Sequence, residues 1–341
     1  MYRWNVVKRL IPIMAILAFL LTGCGREDTS TLNPQGPVAE EQFGLMKLSI
    51  AIMIVVVVVV FILSLYVLIR FRRRSGDNGI PNQVEGNHVL EIIWTVIPIL
   101  LLLVLAVPTI QSTFKLAKDY RKDPNALVVK VTAHQFWWEF EYPKQGIKVA
   151  SDLYIPANKK IAFELVSGDV IHAFWVPALG GKMDTNPSGS NMNVMYLEAD
   201  KPGVYKGKCA ELCGASHALM DFKVVAVSDD EFNAWVDKQK APAKLPADPA
   251  LAETFTKQCL TCHAVGDQGV YGAPNLTNFG DRETVASVMK IDPNNRQQSL
   301  EDNLRKWIAD PAKVKPGNKM PKVELTQDQI DGLAKYLSEL K

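Results

Sequence analysis

Two stretches of this chain leave little choice about where they fold. Residues 48–69 run for 22 positions without a charged side chain, including six consecutive valines at 55–60, and residues 92–114 add another 23. As helices, both are long enough to cross a hydrocarbon core of about 30 Å. In lipid each backbone N–H and C=O must be paired within the protein, which a helix does and an irregular segment cannot. The expectation is a transmembrane hairpin over residues 44–115, with helices at about 46–70 and 91–114 and with Pro98 and Pro108 inside the second. Between them Arg70, Arg72, Arg73 and Arg74 mark a cytoplasmic turn under the positive-inside rule. Both ends of the hairpin then lie on the outer side.

The beginning of the chain agrees with that orientation. Arg3, Lys8 and Arg9 precede an apolar run at 10–21, and Leu21-Thr22-Gly23-Cys24 follows. The run is too short to span a bilayer, and a basic start, an apolar stretch and small residues at its end describe a secretory signal. Its ending resembles a bacterial lipoprotein signal, which implies removal of residues 1–23 and a lipid on Cys24. Ordinary cleavage nearby, with Cys24 incidental, is the alternative. Residues 24–43, rich in Gly, Ser, Thr, Pro and acidic side chains, read as an external tether.

A net charge of +2 with 22% charged residues excludes the profile of a nucleic-acid-binding protein or a disordered acidic chain. The five cysteines are more informative, because each falls in a motif: Cys24 in the signal, Cys209 and Cys213 in one loop, Cys259 and Cys262 in another. None is left for a disulfide framework.

Residues 209–220 hold Cys209, Cys213, His217 and Met220, and His172 lies 37 positions before Cys209. Thiolate, thioether and imidazole form the soft set that copper takes. A single copper needs one cysteine, two histidines and often a methionine. Here a second cysteine stands four positions on, so two thiolates can bridge two coppers, each completed by one histidine and a weak axial ligand. Such a centre shares one electron over two metals, with little change in bond length. Zinc could take the cysteines and histidines, although it has no use for Met220, and a Cys209–Cys213 disulfide could form in an oxidising compartment. Around this loop, strand-like runs at 128–132, 161–166, 194–198 and 222–227, punctuated by Pro, Gly and Asn, suggest a small sandwich or barrel over residues 120–235. The aromatic run at 133–142 reads for most of its positions as a strand packing its rings, and His134 as structural.

Residues 236–250 are Pro-, Ala- and Lys-rich, the composition of a semi-rigid linker. Cys259-Leu-Thr-Cys262-His263 then gives the c-type haem attachment signature, with two thioethers for the porphyrin and a histidine for iron. A redox Cys-x-x-Cys pair is the rival. Context favours haem: the string closes an amphipathic run, and Gly272-Ala-Pro274 and Lys319-Met320-Pro321 follow in the layout of a class I cytochrome c. Met320, 57 residues after His263, becomes the distal ligand, against the ordinary use of methionine as core filler. Helices at about 301–309 and 326–340 complete an all-α domain over 251–341. From 249 to 341 there are 12 basic and 12 acidic residues, so this domain lacks the charge bias of a carrier steered to an acidic dock. A tethered donor needs little steering.

Taken together, the 209–220 loop, Asp169-x-x-His172, Glu91-Ile-Ile-Trp94-Thr95 and the haem motif resemble subunit II of cytochrome c oxidase, of the caa3 type with a fused cytochrome c. The resemblance covers nearly the whole chain. It implies three parts: a two-helix transmembrane hairpin, an all-β cupredoxin-like copper-A domain and an all-α class I cytochrome c domain. It implies a dinuclear copper A on His172, Cys209, the Glu211 carbonyl, Cys213, His217 and Met220, and a magnesium ion on the Glu211 side chain at the interface with subunit I. Haem c would be bonded to Cys259 and Cys262, with His263 and Met320 on its iron. Glu91 would lie at the mouth of a proton pathway, where the bland reading is a helix-dipole partner, with His88 merely interfacial.

On this resemblance electrons enter at haem c and pass through copper A to haem a and the oxygen-reducing site of subunit I. The chain itself offers no catalytic residue and no ligands for those later centres. Implied partners are subunits I and III, a small subunit IV, an upstream cytochrome c or quinol–cytochrome c reductase, and membrane lipid, with no nucleic acid. One departure is Phe136, where the family places a tryptophan that takes electrons from a docked cytochrome. Trp137 or Trp138 could serve instead, or the donor docks differently. The rivals are a tethered carrier feeding another reductase, such as one for nitrous oxide, and a structural quinol-oxidase-like subunit. The latter predicts loss of copper ligands, and all are present.

Overall fold

The computed structural model describes residues 11–12, 14, 29–73, 76, 79–80, 83, 85–187, 192–242 and 244–341. Most of the signal-like segment, and the expected lipidation site Cys24, lie outside the described residues. Helix α1 spans Pro37–Arg70 and α2 spans His88–Leu116. Pro37 opens α1 at a position where its missing N–H is harmless. Asn87 caps α2, its side chain accepting from the N–H groups of Val89 and Leu90. Their apolar side chains face outward on all sides: all six valines at 55–60 are exposed, as are Ile92, Trp94 and Leu102. A helix apolar all round and uncovered by protein belongs in lipid.

Helix α1 starts at Pro37, not near residue 46, so the last part of the expected tether is ordered. The cause is docking on the β-domain. Val38 and Ala39 are buried, Gln35 N–H donates to the Ala178 carbonyl, and Asp200 N–H donates to the Gln35 carbonyl. At Gly36 a Cβ would meet the Glu198 carbonyl oxygen at 2.0 Å, so only glycine fits the close approach. Glu41 on α1 accepts from Ser112 and Lys115 of α2, which ties the hairpin together at the end nearest the β-domain.

The β-domain has ten strands: β1 Leu127–His134, β2 Trp137–Tyr142, β3 Ile147–Ala150, β4 Asp152–Pro156, β5 Ile161–Ser167, β6 His172–Trp175, β7 Met183–Thr185, β8 Asn193–Leu197, β9 Gly203–Cys209 and β10 Asp221–Val227. They form two sheets, ordered β3-β2-β1-β5-β8 and β4-β10-β9-β6-β7, with β1–β5 and β4–β10 parallel and the other pairs antiparallel. Alternating burial along β1, β2 and β10 sends one face of each strand into the sandwich core. Trp138, Phe140, Phe163, Phe174 and Phe222 fill that core, and Phe174 stacks on Phe222 at 4.8 Å. The four runs expected as strands are β1, β5, β8 and β10. Helix α3, Asp229–Gln239, opens with a capping box between Ser228 and Glu231 and carries the chain past residue 235, so the connection to the next domain is confined to 240–248.

The last domain packs α4 Pro249–Gln258, α5 Arg296–Ala309, the short α6 Pro311–Val314 and α7 Gln327–Glu339 around Phe255, Leu300, Leu304, Leu333 and Leu337. Helix α5 begins at Arg296, before the expected residue 301, because the Arg296 guanidinium is held by the Gly280 and Arg282 carbonyls at 2.8 Å. The connection does not hang free: Tyr336 donates to the Lys244 carbonyl, and Lys238 pairs with Asp281.

Gly207 on β9 lies under the Phe222 ring, where a Cβ would sit 2.1 Å from the ring's Cζ. Gly207→Val therefore wedges apart the aromatic core beneath the 209–220 loop. Calorimetry of the full chain is expected to show a loss of about 1–3 kcal/mol, the usual cost of overpacking.

Candidate copper and haem centres

His172 opens β6 and Cys209 ends β9, neighbouring strands whose pairing sets Phe174 opposite Cys209. The chain then loops through Cys213, makes a 3-10 turn at His217–Leu219, and re-enters the sheet just after Met220. The Cys209 and Cys213 sulfurs lie 3.8 Å apart. The His172 Nδ1 is 3.8 Å from the Cys209 sulfur, and the His217 Nδ1 is 3.6 Å from the Cys213 sulfur. The Met220 sulfur is 3.8 Å from that of Cys213, and the Glu211 carbonyl oxygen is 3.2 Å from that of Cys209. Each sulfur thus has one imidazole nitrogen and one weak donor beside it.

These spacings fit metal ions. With metal–sulfur and metal–nitrogen bonds of roughly 2.3 and 2.0 Å, two ligands on one ion at tetrahedral-to-trigonal angles stand about 3.5–4 Å apart. A disulfide needs sulfurs about 2.05 Å apart, and all four described cysteines are free. Met220, wholly buried with its thioether turned to Cys213, is a donor for copper and not for structural zinc. Among the described residues, the one group of three or more mutually close His, Cys, Asp or Glu ligand atoms is His172, Cys209 and Cys213. The Glu211 side chain is exposed and outside it.

Surrounding groups hold the ligands in place. His172 is fully buried, and its Nε2 donates to Asp169 Oδ1 at 2.9 Å, which leaves Nδ1 unprotonated on the side of Cys209. Burial pulls the His172 imidazole below its ordinary pKa against the attraction of Asp169. Burial alone would raise the Asp169 carboxyl, but hydrogen bonds from His172, the Gln135 N–H, Lys319 and the Val170 N–H hold it well below the usual carboxylate range. Gln135 Nε2 donates to the Cys213 carbonyl at 2.6 Å, and the Trp138 indole lies 3.4 Å from the Met220 carbonyl. Burial, and then the neighbouring Cys209 sulfur, push the Cys213 thiol up to about 12. Paired thiolates here therefore call for a cation, as metal binding supplies.

The Cys259–His263 motif follows the C-terminal end of α4, where Cys259 is the cap residue. A cavity of about 310 Å³ is lined by Cys262, His263, Pro274, Trp307, Lys315 and Met320. Cys259 packs on the domain core, and burial raises its thiol to about 11. His263 Nδ1 donates to the Pro274 carbonyl at 2.7 Å, which frees Nε2 for iron. The same cavity is also walled by His134–Trp137, Ser151 and Asp152 of the β-domain. His134 stacks on Trp137 at 4.4 Å, in keeping with a structural role, and Trp138 is buried beneath the copper ligands. Glu91 stands in the first turn of α2, 3.3 Å from His88.

Gln135 and Trp138 engage the carbonyls of Cys213 and Met220, yet neither stands in a metal-ligand motif. Asp169 did carry a signal, its three-residue spacing from His172. Replacing it with alanine removes the acceptor that orients the imidazole. Competitive copper titration of Asp169→Ala is expected to show an affinity lower by about 10- to 100-fold.

Three family signatures divide the chain: the cytochrome c oxidase subunit II transmembrane domain over residues 32–112, the subunit II periplasmic domain over 144–227, and cytochrome c over 252–341. Cytochrome c oxidase subunit 2 of Bacillus sp. (strain PS3) is 51% identical over 98% of this chain and 97% of its own. The protein of the same name from Alkalihalophilus pseudofirmus is 46% identical over 99% and 98%. Quinol oxidase subunit 2 of Bacillus subtilis is 41% identical but covers only 69% of this chain. With kinship of this degree along nearly its full length, the chain belongs to the cytochrome c oxidase subunit II family.

Proposed function

We propose that this chain is the electron-accepting subunit of a haem–copper oxidase, with its copper and haem domains on the outer face of the membrane. The observation that carries the reading is the pair of sulfurs 3.8 Å apart, each with its own imidazole nitrogen at 3.6–3.8 Å, beside a cavity that gathers Cys262, His263 and Met320. When bound, haem c and a dinuclear copper supply one-electron transfer from an upstream donor towards haem a and the oxygen-reducing site of subunit I. Cys259 and Cys262 anchor the porphyrin, His263 and Met320 take the iron, and the 209–220 loop with His172 holds the two coppers.

Oxygen reduction belongs to subunit I on a simple inventory. The chain has five histidines: His172 and His217 serve copper, His263 serves iron, His134 is stacked on Trp137, and His88 is at the membrane surface. The donor is a cytochrome c or a quinol–cytochrome c reductase. Subunits III and IV complete the assembly, a lipid on Cys24 adds a second anchor, Glu91 opens a proton route, and the exposed Glu211 carboxylate binds magnesium against subunit I.

Rapid anaerobic mixing of the loaded full chain with substoichiometric reductant tests the relay. Reduced haem is expected to decay as copper absorbance bleaches, whereas haem left reduced beside oxidised copper contradicts the proposal. Met320→Ala is expected to keep the haem attached but open an axial position, so that the reduced variant binds carbon monoxide and the parent does not.

A further inference from the structure

We propose that residues 315–320, which end in the distal haem ligand Met320, are the electrical contact between the two centres, and that Lys319 is the positioning residue that seats them. This rests on the electron-relay reading above. The segment belongs to the cytochrome domain but lies on the copper loop. Ser216, fully buried between Cys213 and His217, donates to the Pro316 carbonyl at 2.6 Å. Gly317, at φ +75°, lies alongside the copper loop, where a Cβ would make ordinary van der Waals contact with Ala215 Cβ at 3.4 Å and the Phe136 ring at 3.5 Å. Lys319 Nζ donates to Asp169 Oδ2 at 2.9 Å, while the other oxygen of the same carboxylate holds His172.

The segment is fixed from both sides. Lys315 is buried, and its Nζ donates to the Ala286 carbonyl, which fastens one end inside the cytochrome domain. Lys319 fastens the other end to the copper domain. Two short bonded paths result, one from Lys319 through Asp169 to His172 and one from Pro316 through Ser216 to the neighbouring His217. Each copper-ligand histidine is thereby joined to the strand that carries Met320. Phe136 is buried to 3% exposure by the same packing. The face on which the family resemblance places electron entry, beside Phe136, is thus occupied by the chain's own cytochrome domain.

With haem held by Cys259, Cys262, His263 and Met320 and copper by His172, Cys209, Cys213, His217 and Met220, the step so positioned would move one electron from ferrous haem iron to the oxidised copper pair. No bond forms or breaks and no proton is required. The contribution of Lys319 can be separated from the copper site itself. Without it, Asp169 keeps its hydrogen bonds from His172, the Gln135 N–H and the Val170 N–H. Lys319 is itself 66% exposed, so replacing it leaves the fold intact.

The test compares the full-length, copper- and haem-loaded parent with Lys319→Met and Lys319→Arg. Haem-to-copper transfer is followed after flash reduction of the haem, and hydrogen–deuterium exchange is followed over residues 134–137 and 214–217. Lys319→Met is expected to slow transfer by about fivefold, the scale set by losing one partly exposed ion pair. It is also expected to speed exchange at the covered residues and leave the copper and haem spectra unchanged, while Lys319→Arg keeps the parent rate. Raised salt should slow the parent and not Lys319→Met. Transfer in Lys319→Met at the parent rate overturns the proposal and leaves the relay reading standing. A parent that shows no haem-to-copper transfer overturns both.

Discussion

Two buried thiols side by side are the constraint on which the rest of this structure depends. At about 4 Å and an effective dielectric near 20, two thiolate charges repel by roughly 4 kcal/mol before any cost of burial is counted. The raised thiol of Cys213 reflects both effects. Only positive charge between the sulfurs makes the pair favourable, and soft sulfur donors with two imidazoles choose copper for that charge. The surrounding protein must then hold a loop in one shape whether or not charge develops on it. The sandwich does so by fixing His172 and Cys209 on paired strands, while Gln135 and Trp138 engage the loop's carbonyls.

The other parts of the chain pack against the domain that holds that loop. The ordered start of α1 docks on the β-domain through Val38 and Gly36, so the hairpin and the copper domain are joined by packing as well as by chain. On the opposite side, the cytochrome domain shares the wall of its haem cavity with β1 and β2 residues of the copper domain. A short connection at 240–248, pinned by Tyr336, keeps the two at high effective concentration. The balanced charge of the cytochrome domain, 12 basic and 12 acidic residues from 249 to 341, would give little long-range steering, and a fused domain needs none.

Much of this was legible in the sequence because the ligand chemistry is local. Cys209, Cys213, His217 and Met220 fall within twelve residues, and Cys259, Cys262 and His263 within five. The transmembrane runs declare themselves by length. Legibility fails where tertiary packing decides. Strands β3, β4, β6, β7 and β9 have three to seven residues, and β9 reads Gly-Val-Tyr-Lys-Gly-Lys-Cys, with two glycines that argue against a strand until Phe222 is seen to need the space. The residues at 37–43 look like tether because Glu40, Glu41 and Gln42 break any apolar run, and the burial of Val38 and Ala39 depends on the distant β-domain. Lys319 sits 150 positions from Asp169, so nothing local pairs them.

The most direct measurement is electron paramagnetic resonance of the full chain after haem maturation and copper loading. The account predicts a copper signal with hyperfine splitting shared over two equivalent nuclei, given by one unpaired electron delocalised across the bridged pair. A single-copper spectrum, or a protein that takes up zinc and shows only the haem signal, would contradict it.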